Sequence, residues 1–408
     1  MKILHTSDWH LGSSLCGHKR YEELEDFLSW LEELVKKEEI DAVLVSGDIF
    51  DTGTPGTRAM ELYYRFLNSI TAVPGLQAVV TAGNHDSPSL IDAPQALLKH
   101  LRIHVFGSVT DNVEDEIVEI ASRNGSETLI VCAVPYLRDR DIRLAEPGES
   151  IEDKTRKLEE GVQAHYREVA RLAQEKQKSH GGNVPIVAMG HLFVSGGKTV
   201  DGDGVRELYV GNLARIRGES LAEGIDYFAL GHLHLPQKVA GRETIRYSGS
   251  PIPLGFEDAK RQKEVVIVEF GTGAPHVRTV PVPKFKEIQT LSGNLTEIGH
   301  EIGALVNLHR PVWIEVLFSD IGSPSSVQAR LRELTEGSMV EVLRARPLGT
   351  ETYVLSAQDA CETLADLSET EVFNRCMDAA RLTAEEQTEL ADAFSEILQE
   401  IREEDTPA

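Results

Sequence analysis

The chain has 408 residues, more than one ordinary hydrophobic core organises, so two or three domains are expected. Its 41% hydrophobic and 26% charged residues are those of a globular protein, and a net charge of −25 argues by itself against a polyanionic partner such as DNA. Four scattered cysteines (Cys16, Cys132, Cys361 and Cys376) form no CxxC pair, which argues against a disulfide framework or thiolate zinc site and fits a reducing cytoplasm. No apolar run approaches the roughly 20 residues of a membrane helix, and the strand-like start at Lys2 lacks the marks of a signal peptide.

In chain order, "KILHTSDWH" opens with a β-rich run, and "KRYEELEDFLSWLEELVKKEE" follows with Tyr21, Leu24, Phe27, Leu28, Leu31, Leu34 and Val35 at helical spacing. The run "DAVLVSGD" predicts a buried strand, "GTRAMELYYRFLNSI" a second helix, and "LQAVVTAGNH" another strand. A long helix is expected over 151–178, then strands at "PIVAMGH" and "DYFALGHLH". Strands alternating with helices predict a layered α/β fold, in which polar residues just beyond the carboxyl ends of strands face a shared crevice. From Ile245 the pattern turns to strands ("IRYSGSPIPLGF", "KEVVIVEF", "HVRTVPVP"), with a Pro-rich boundary near residue 284. Beyond it the chain reads strand, helix, strand, helix, strand, enough for a small α/β domain. The tail after about 347 is acidic and carries two helical patterns. One contains Val372, Phe373 and Cys376; the other begins with a Thr383/Glu386 capping-box spacing and carries Leu390, Phe394 and Ile397. Such a hairpin buries its stripe either within the chain or against a partner helix.

The strand ends carry the chemistry. "DWH" places Asp8 and His10 two residues apart, on one side of an extended segment; "GD" supplies Asp48 and "GNHD" supplies Asn84, His85 and Asp86. "GH" supplies His191, and "GHLH" supplies His232 and His234. Alone, a "GD" or "GH" is a turn, Asp8 a helix cap, and His191 a hydrogen-bonded core histidine. Five such clusters, each closing an apolar strand in a chain of 14 histidines, are not ordinary. Two carboxylates, an amide oxygen and several imidazoles without a thiolate suit Mn, Fe or Zn better than Ca or Mg. They are too many for one four-coordinate ion and enough for two, which at roughly 3.5–4 Å separation polarise a phosphoryl group and stabilise a leaving oxygen.

In this order, D-x-H, G-D, G-N-H-[DE], G-H and G-H-x-H resemble the calcineurin-like metallophosphoesterases over roughly residues 1–260. "MKILHTSDWHLG", "SGDIFDTG", "PYLRDRD" and "YSGSPIPLGFED" are similar to the nuclease subunits of bacterial SbcC–SbcD complexes, a double-strand-break repair family. The resemblance implies a β-sandwich flanked by helices in a nuclease domain over 1–283. It further implies an α/β capping domain over 284–347, and over 348–408 a linker and helical hairpin that docks on an SbcC-type ATPase. It implies two divalent cations, Mn²⁺ foremost: one on Asp8, His10 and His234, the other on Asn84, His191 and His232, with Asp48 bridging. His85 is then the acid that protonates the departing oxygen, with Asp86 orienting it. The implied activity is exonuclease on double-stranded DNA and endonuclease on single-stranded or hairpin DNA, in a homodimer within a heterotetramer. Archaeal and eukaryotic relatives carry a second histidine after G-D-x-F; here the position is Asp51, to which no role is assigned.

Two divalent cations against the charges of Asp8 and Asp48 leave the site net positive, which answers the charge objection locally. Arg138 and Arg140 are the nearby candidates for phosphate contact, with solvated ion pairs as the competing reading. A phosphoprotein phosphatase of this superfamily carries Arg where "GDIFDTG" has Thr52, and a small phosphodiesterase needs neither cap nor tail. A non-catalytic scaffold is opposed by the intact set of donors.

Overall fold

The computed structural model describes residues 1–143, 149–198, 221–319 and 324–348, together with Phe373, Leu390 and Phe394. The strands are numbered in chain order and introduced as the sheets require them. The first sheet contains β1 (Lys2–Thr6), β4 (Ala42–Ser46), β5 (Gln77–Thr81), β6 (Ile103–Phe106), β13 (Glu264–Glu269) and β14 (His276–Pro281), in the order β14-β13-β1-β4-β5-β6. A two-stranded ribbon, β2 (Ser14–Leu15) with β3 (His18–Lys19), follows the first strand. The second sheet contains β7 (Ile117–Ala121), β8 (Thr128–Ala133), β9 (Ile186–His191), β10 (Tyr227–Gly231), β11 (Gln237–Val239) and β12 (Arg242–Tyr247), in the order β11-β12-β10-β9-β8-β7. The strands β6, β7 and β8 add to those expected from sequence.

The central strands of each sheet are parallel, and the register decides where their ends fall. Thr6 pairs with Val45, Ser46 with Thr81, and Gly231 with His191, so the loops that follow leave each sheet at the same edge. Each central strand is buried on both faces, which is why it reads as a continuous apolar run. Ala42 and Leu44 of β4 face the second sheet, in one core with Val187, Met189 and Ala229. Val43 and Val45 face outward, in a second core with Leu24, Phe27 and Leu31 of the helix Tyr21–Lys37 and Leu62 and Phe66 of the helix Thr57–Thr71. On the far face of the second sheet, Ile186 and Ala188 pack with Val162, Tyr166 and Val169 of the helix Ile151–Ser179. The layers are therefore helix, sheet, sheet, helix, the sandwich that the motif resemblance implies.

After residue 284 come β15 (Glu287–Gly293), β16 (Val312–Phe318) and β17 (Val340–Pro347), alternating with helices Leu295–Val306 and Pro324–Thr335 as the pattern predicts. The strands form one sheet of order β15-β16-β17. The first of these helices is started by Asn294, whose Oδ1 accepts from the backbone of Thr296 and Glu297 at 3.0 Å while Glu297 accepts from Asn294 N. The chain divides into two compact units. One holds residues 1–290, 305–315 and 335–344; the other holds 291–304, 316–334 and the described residues from 345 onward. The terminal helical pair lies outside the described residues except for Phe373, Leu390 and Phe394; the two phenylalanine rings stack with centroids 3.9 Å apart.

Candidate metal centre

Five strand ends from both sheets meet in the first unit. The loops after β1 and β4 run side by side: Asp8 N donates to Gly47 O (3.0 Å), His10 N to Asp48 O (3.1 Å) and Leu11 N to Ile49 O (2.9 Å). Three residues on these loops hold left-handed backbones, Asp8 at φ 53°, His10 at 47° and Asp48 at 51°, and His232 does so at 100°. That conformation is costly for a non-glycine residue and persists only where the surroundings impose it, typically at functional sites. The sheets are also joined here. His191 Nδ1 donates to Ser46 O at 2.9 Å, and the Asp8 carboxylate accepts from His232 N at 3.0 Å.

The glycines of these motifs serve close approach more than turning. A Cβ on Gly83 would lie 2.2 Å from Asp48 Oδ1, and one on Gly231 would lie 1.8 Å from Ser46 O. Gly83 is absent from the positive-φ glycines, so a turn requirement does not explain it.

The side chains converge in two overlapping groups. In one, His10 Nε2 is 3.1 Å from His234 Nε2 and 3.7 Å from Asp48 Oδ2; ligand atoms of Asp8, His10, Asp48 and His234 all lie within 4.8 Å of one another. In the other, Asn84 Oδ1 is 3.1 Å from His191 Nε2 and 3.0 Å from His232 Nδ1, and His191 Nε2 is 3.3 Å from Asp48 Oδ2. Asp48 is common to both. All seven residues predicted as ligands are thus brought together, and all but the half-buried Asn84 are buried.

Electrostatics show what the cluster lacks. Burial raises Asp8, with His191 pulling it back and Asp48 pushing it further up. Burial also opposes charge on Asp48, yet His191 and His10 hold its carboxyl well below the carboxylate range. Burial alone would lower His191, but Asp48 and Asp8 carry it up to about 9; burial and then His191 push His232 down to about 3. The carboxylates therefore draw positive charge into a buried pocket whose remaining donors are lone pairs. A divalent cation matches that demand, and oxygen plus imidazole without thiolate is the donor set of Mn, Fe or Zn.

His85 is placed differently. It is half-buried, whereas His10, His191, His232 and His234 are buried. Its backbone N–H donates to Asp48 Oδ1 at 2.9 Å, and its Nδ1 donates to the carbonyl oxygen of Asp51 at 2.7 Å. Its ring lies edge-on to that of His10, centroids 4.9 Å apart. The Asp51 carboxylate sits 3.4 Å from His10 Nδ1. Asp86 does not orient His85. Its carboxylate accepts three backbone N–H groups, from Ile49 (3.1 Å), Phe50 (2.9 Å) and Gly83 (2.8 Å), and so ties the Asp48 loop to the Gly83 loop. Burial and then Asp48 still push Asp86 up to about 6, against those three donors.

Of the two arginines, Arg138 is drawn to the site, its guanidinium donating to Asp86 O at 3.2 Å, while Arg140 stands in solvent 3.6 Å from Asp141. Sequence reasoning missed Tyr136, whose ring is 6.2 Å from that of His191, and the serine pair Ser7–Ser248 behind Asp8. Neither has a periodicity signal; only their adjacency to strand ends marks them.

Residues 1–236 match the family model described as calcineurin-like phosphoesterase, and residues 284–381 match that described as type 5 capsule protein repressor C-terminal domain. SbcD, the nuclease subunit of the SbcCD complex of Escherichia coli (strain K12), is 33% identical over 405 residues, 98% of each chain. The chain belongs to the SbcD family of calcineurin-like phosphoesterases. Family members of the same name are 34% identical over 292 residues in Rhodobacter capsulatus, 70% of each chain, and 36% identical over 276 residues in Bacillus subtilis, 67% of each.

Proposed function

We propose that this chain is the nuclease subunit of an SbcCD-type complex: a metal-dependent DNA nuclease that hydrolyses phosphodiester bonds and acts with an SbcC-type ATPase in DNA end processing, repair and recombination. The observation that carries this reading is the convergence of two carboxylates, one amide and four imidazoles at strand ends from both sheets of a calcineurin-like phosphoesterase.

Asp8, His10 and His234 hold one divalent cation, Asn84, His191 and His232 a second, and Asp48 both; Mn²⁺ is the metal we assign. When bound, such cations supply Lewis acidity toward a phosphoryl group and lower the pKa of water. The protein's own contribution is positional. The left-handed loops aim Asp8, His10 and Asp48 inward, and Asp86 joins the loops that carry Asp48 and Asn84. His85 is the imidazole of the cluster that solvent, and so a phosphodiester, reaches. With Nδ1 committed to the Asp51 carbonyl, its Nε2 carries the exchangeable proton, the arrangement required of an acid that protonates a leaving oxygen. Arg138, beside the same loop, is the cation we assign to a flanking phosphate.

The domain reading is a nuclease domain over 1–283, a capping domain over 284–347, and a linker with a partner-docking helical pair over 348–408. A homodimer is supported by exposed apolar side chains on neighbouring stretches of chain: Tyr64 on the helix Thr57–Thr71, Leu97 on the helix Gln95–His100, and Leu101 just after it. Exonuclease action on duplex DNA and endonuclease action on single-stranded or hairpin DNA, in the cytoplasm, complete the proposal. Among the described residues no helix is long and apolar enough to cross a membrane. The test is cleavage of duplex and hairpin DNA with Mn²⁺, with and without the ATPase partner and ATP. Mn²⁺-dependent cleavage is expected; its absence under every condition overturns the reading.

A further inference from the structure

The stretch "YSGSP" lies at the end of β12, the strand beside β10, with Tyr247 in register with Leu230. None of its residues is in the ligand set, yet each of the first four acts on a loop that bears one. The buried Tyr247 hydroxyl donates to Leu192 O (2.8 Å) and accepts from Val194 N (3.0 Å), closing the loop directly after His191. Ser248 Oγ is 2.8 Å from Ser7 Oγ, which itself donates to the Asp8 carboxylate; with that proton committed, Ser248 is the donor to Ser7. Ser250 N donates to His234 O at 3.1 Å. Gly249 permits this approach, since a Cβ there would lie 2.7 Å from His234 O and from Pro236 N, at a φ of +73°.

A buried ion pair completes the arrangement. Lys263 is 4% exposed and Asp258 1% exposed. The Lys263 ammonium donates to Asp258 Oδ1 (2.5 Å), Ser250 Oγ (3.0 Å) and the carbonyl oxygen of His234 (2.9 Å). Asp258 Oδ2 accepts from Leu254 N at 2.9 Å and so closes the loop between the motif and the lysine. Burying a charged pair is expensive, and its interior position is explained by what it holds rather than by stability gained. The backbone of His234 lies in irregular chain after β10, where no sheet ladder fixes it.

We infer that Ser248, Ser250, Asp258 and Lys263 form an outer clamp that positions Asp8 and His234 and thereby sets the cation affinity of their half of the centre. They are positioning residues; none lies among the proposed ligands. The inference rests on the ligand assignment above. Partners behind metal ligands typically change metal affinity 10–100-fold when removed, because the ligand must then be ordered at the expense of binding.

The test is Mn²⁺ titration of the full-length chain, followed by electron paramagnetic resonance, beside metal-free melting temperatures in EDTA. Ser248→Ala cuts the link to Ser7. The double variant Lys263→Met with Asp258→Asn removes the donor to His234 without leaving a buried charge unpaired. Both should bind one of two Mn²⁺ about 10–100-fold more weakly, and their lost cleavage should return as Mn²⁺ is raised. Ser248→Thr, which keeps the hydroxyl, should bind as the parent does. Leu67→Ala, a core cavity on the helix Thr57–Thr71, should lower the melting temperature without changing Mn²⁺ affinity. His234→Ala separates the two levels of the argument: if it binds two Mn²⁺ as the parent does, the ligand assignment fails. If it loses one but Ser248→Ala and the double variant bind normally, the clamp fails. Should the double variant not fold, normal Mn²⁺ binding by Ser248→Ala alone overturns the clamp.

Discussion

Substituting Gly83→Ala adds one methyl group at the point where the two metal-bearing loops touch. The new Cβ would start 2.2 Å from Asp48 Oδ1, 2.3 Å from Asp48 N and 2.7 Å from Asp48 Cγ. Real Cβ contacts are essentially never shorter than 3.0 Å, so relief requires a shift of about 0.8 Å, the difference between 3.0 and 2.2. Neither side yields freely. Asp48 is held through its carbonyl to His10 N (3.1 Å) and through its carboxylate to His85 N (2.9 Å), and Gly83 N is held by Asp86 (2.8 Å). Overpacking of this kind costs about 1–3 kcal/mol of stability. Its functional effect should be larger, because a misplacement near 1 Å costs roughly 100-fold in rate. Gly83→Ala should therefore melt only a few degrees below the parent but cleave DNA roughly two orders of magnitude more slowly. The assay is initial cleavage rate at saturating Mn²⁺ beside a thermal unfolding scan. A variant that cleaves at the parent rate refutes the claim that this glycine exists for close approach to Asp48.

Asp86→Ala leaves the N–H groups of Ile49, Phe50 and Gly83 without their acceptor; at about 1–3 kcal/mol for each unpaired buried donor, unfolding should become easier by several kcal/mol, measured by urea titration. His85→Ala should instead abolish cleavage, at least about 100-fold, while Mn²⁺ binding and melting temperature stay near the parent values, since its ring lies outside the seven-residue set; surviving cleavage removes His85 as the acid. His5 supplies a pH test. Burial first, with Arg246 adding and a hydrogen bond to Leu230 opposing, pushes its imidazole down to about 3. The unfolded chain then binds the extra proton below its ordinary value near 6.5, so stability is complete above that pH and falls as pH drops toward 3, by roughly 4 kcal/mol in all. His5→Asn should flatten the stability curve between pH 6 and 4 by about 1.4 kcal/mol per pH unit; parallel curves would contradict the assignment. Leu97→Glu with Leu101→Glu should turn the expected dimer into a monomer in light scattering, and an unchanged mass removes that surface from the dimer proposal.

Much of the architecture was legible because it is local. Ala42–Ser46 and Ile186–His191 are apolar at nearly every buried position, and the stripe from Leu24 to Val35 repeats at the helical period, so strand and helix declare themselves within a few residues. The chemistry was legible for a related reason: parallel strands deliver their ends to one edge, so the short polar words after Thr6, Ser46, Thr81, Gly190 and Leu230 read as parts of one site. Contacts made across large separations in sequence were not legible. Nothing in "GNHD" says that Asp86 turns away to three backbone amides while His85 leans on the carbonyl of Asp51. Nothing in "SGSP" says that Ser248 meets Ser7, 241 residues away. Nothing in "RQKEVV" says that Lys263 is buried against Asp258 and His234. Residue type and periodicity determine which groups a strand end offers; which of them face a cation, a substrate or each other follows from sheet register and the left-handed backbone of Asp8, His10, Asp48 and His232, and these exist only once the two sheets have packed.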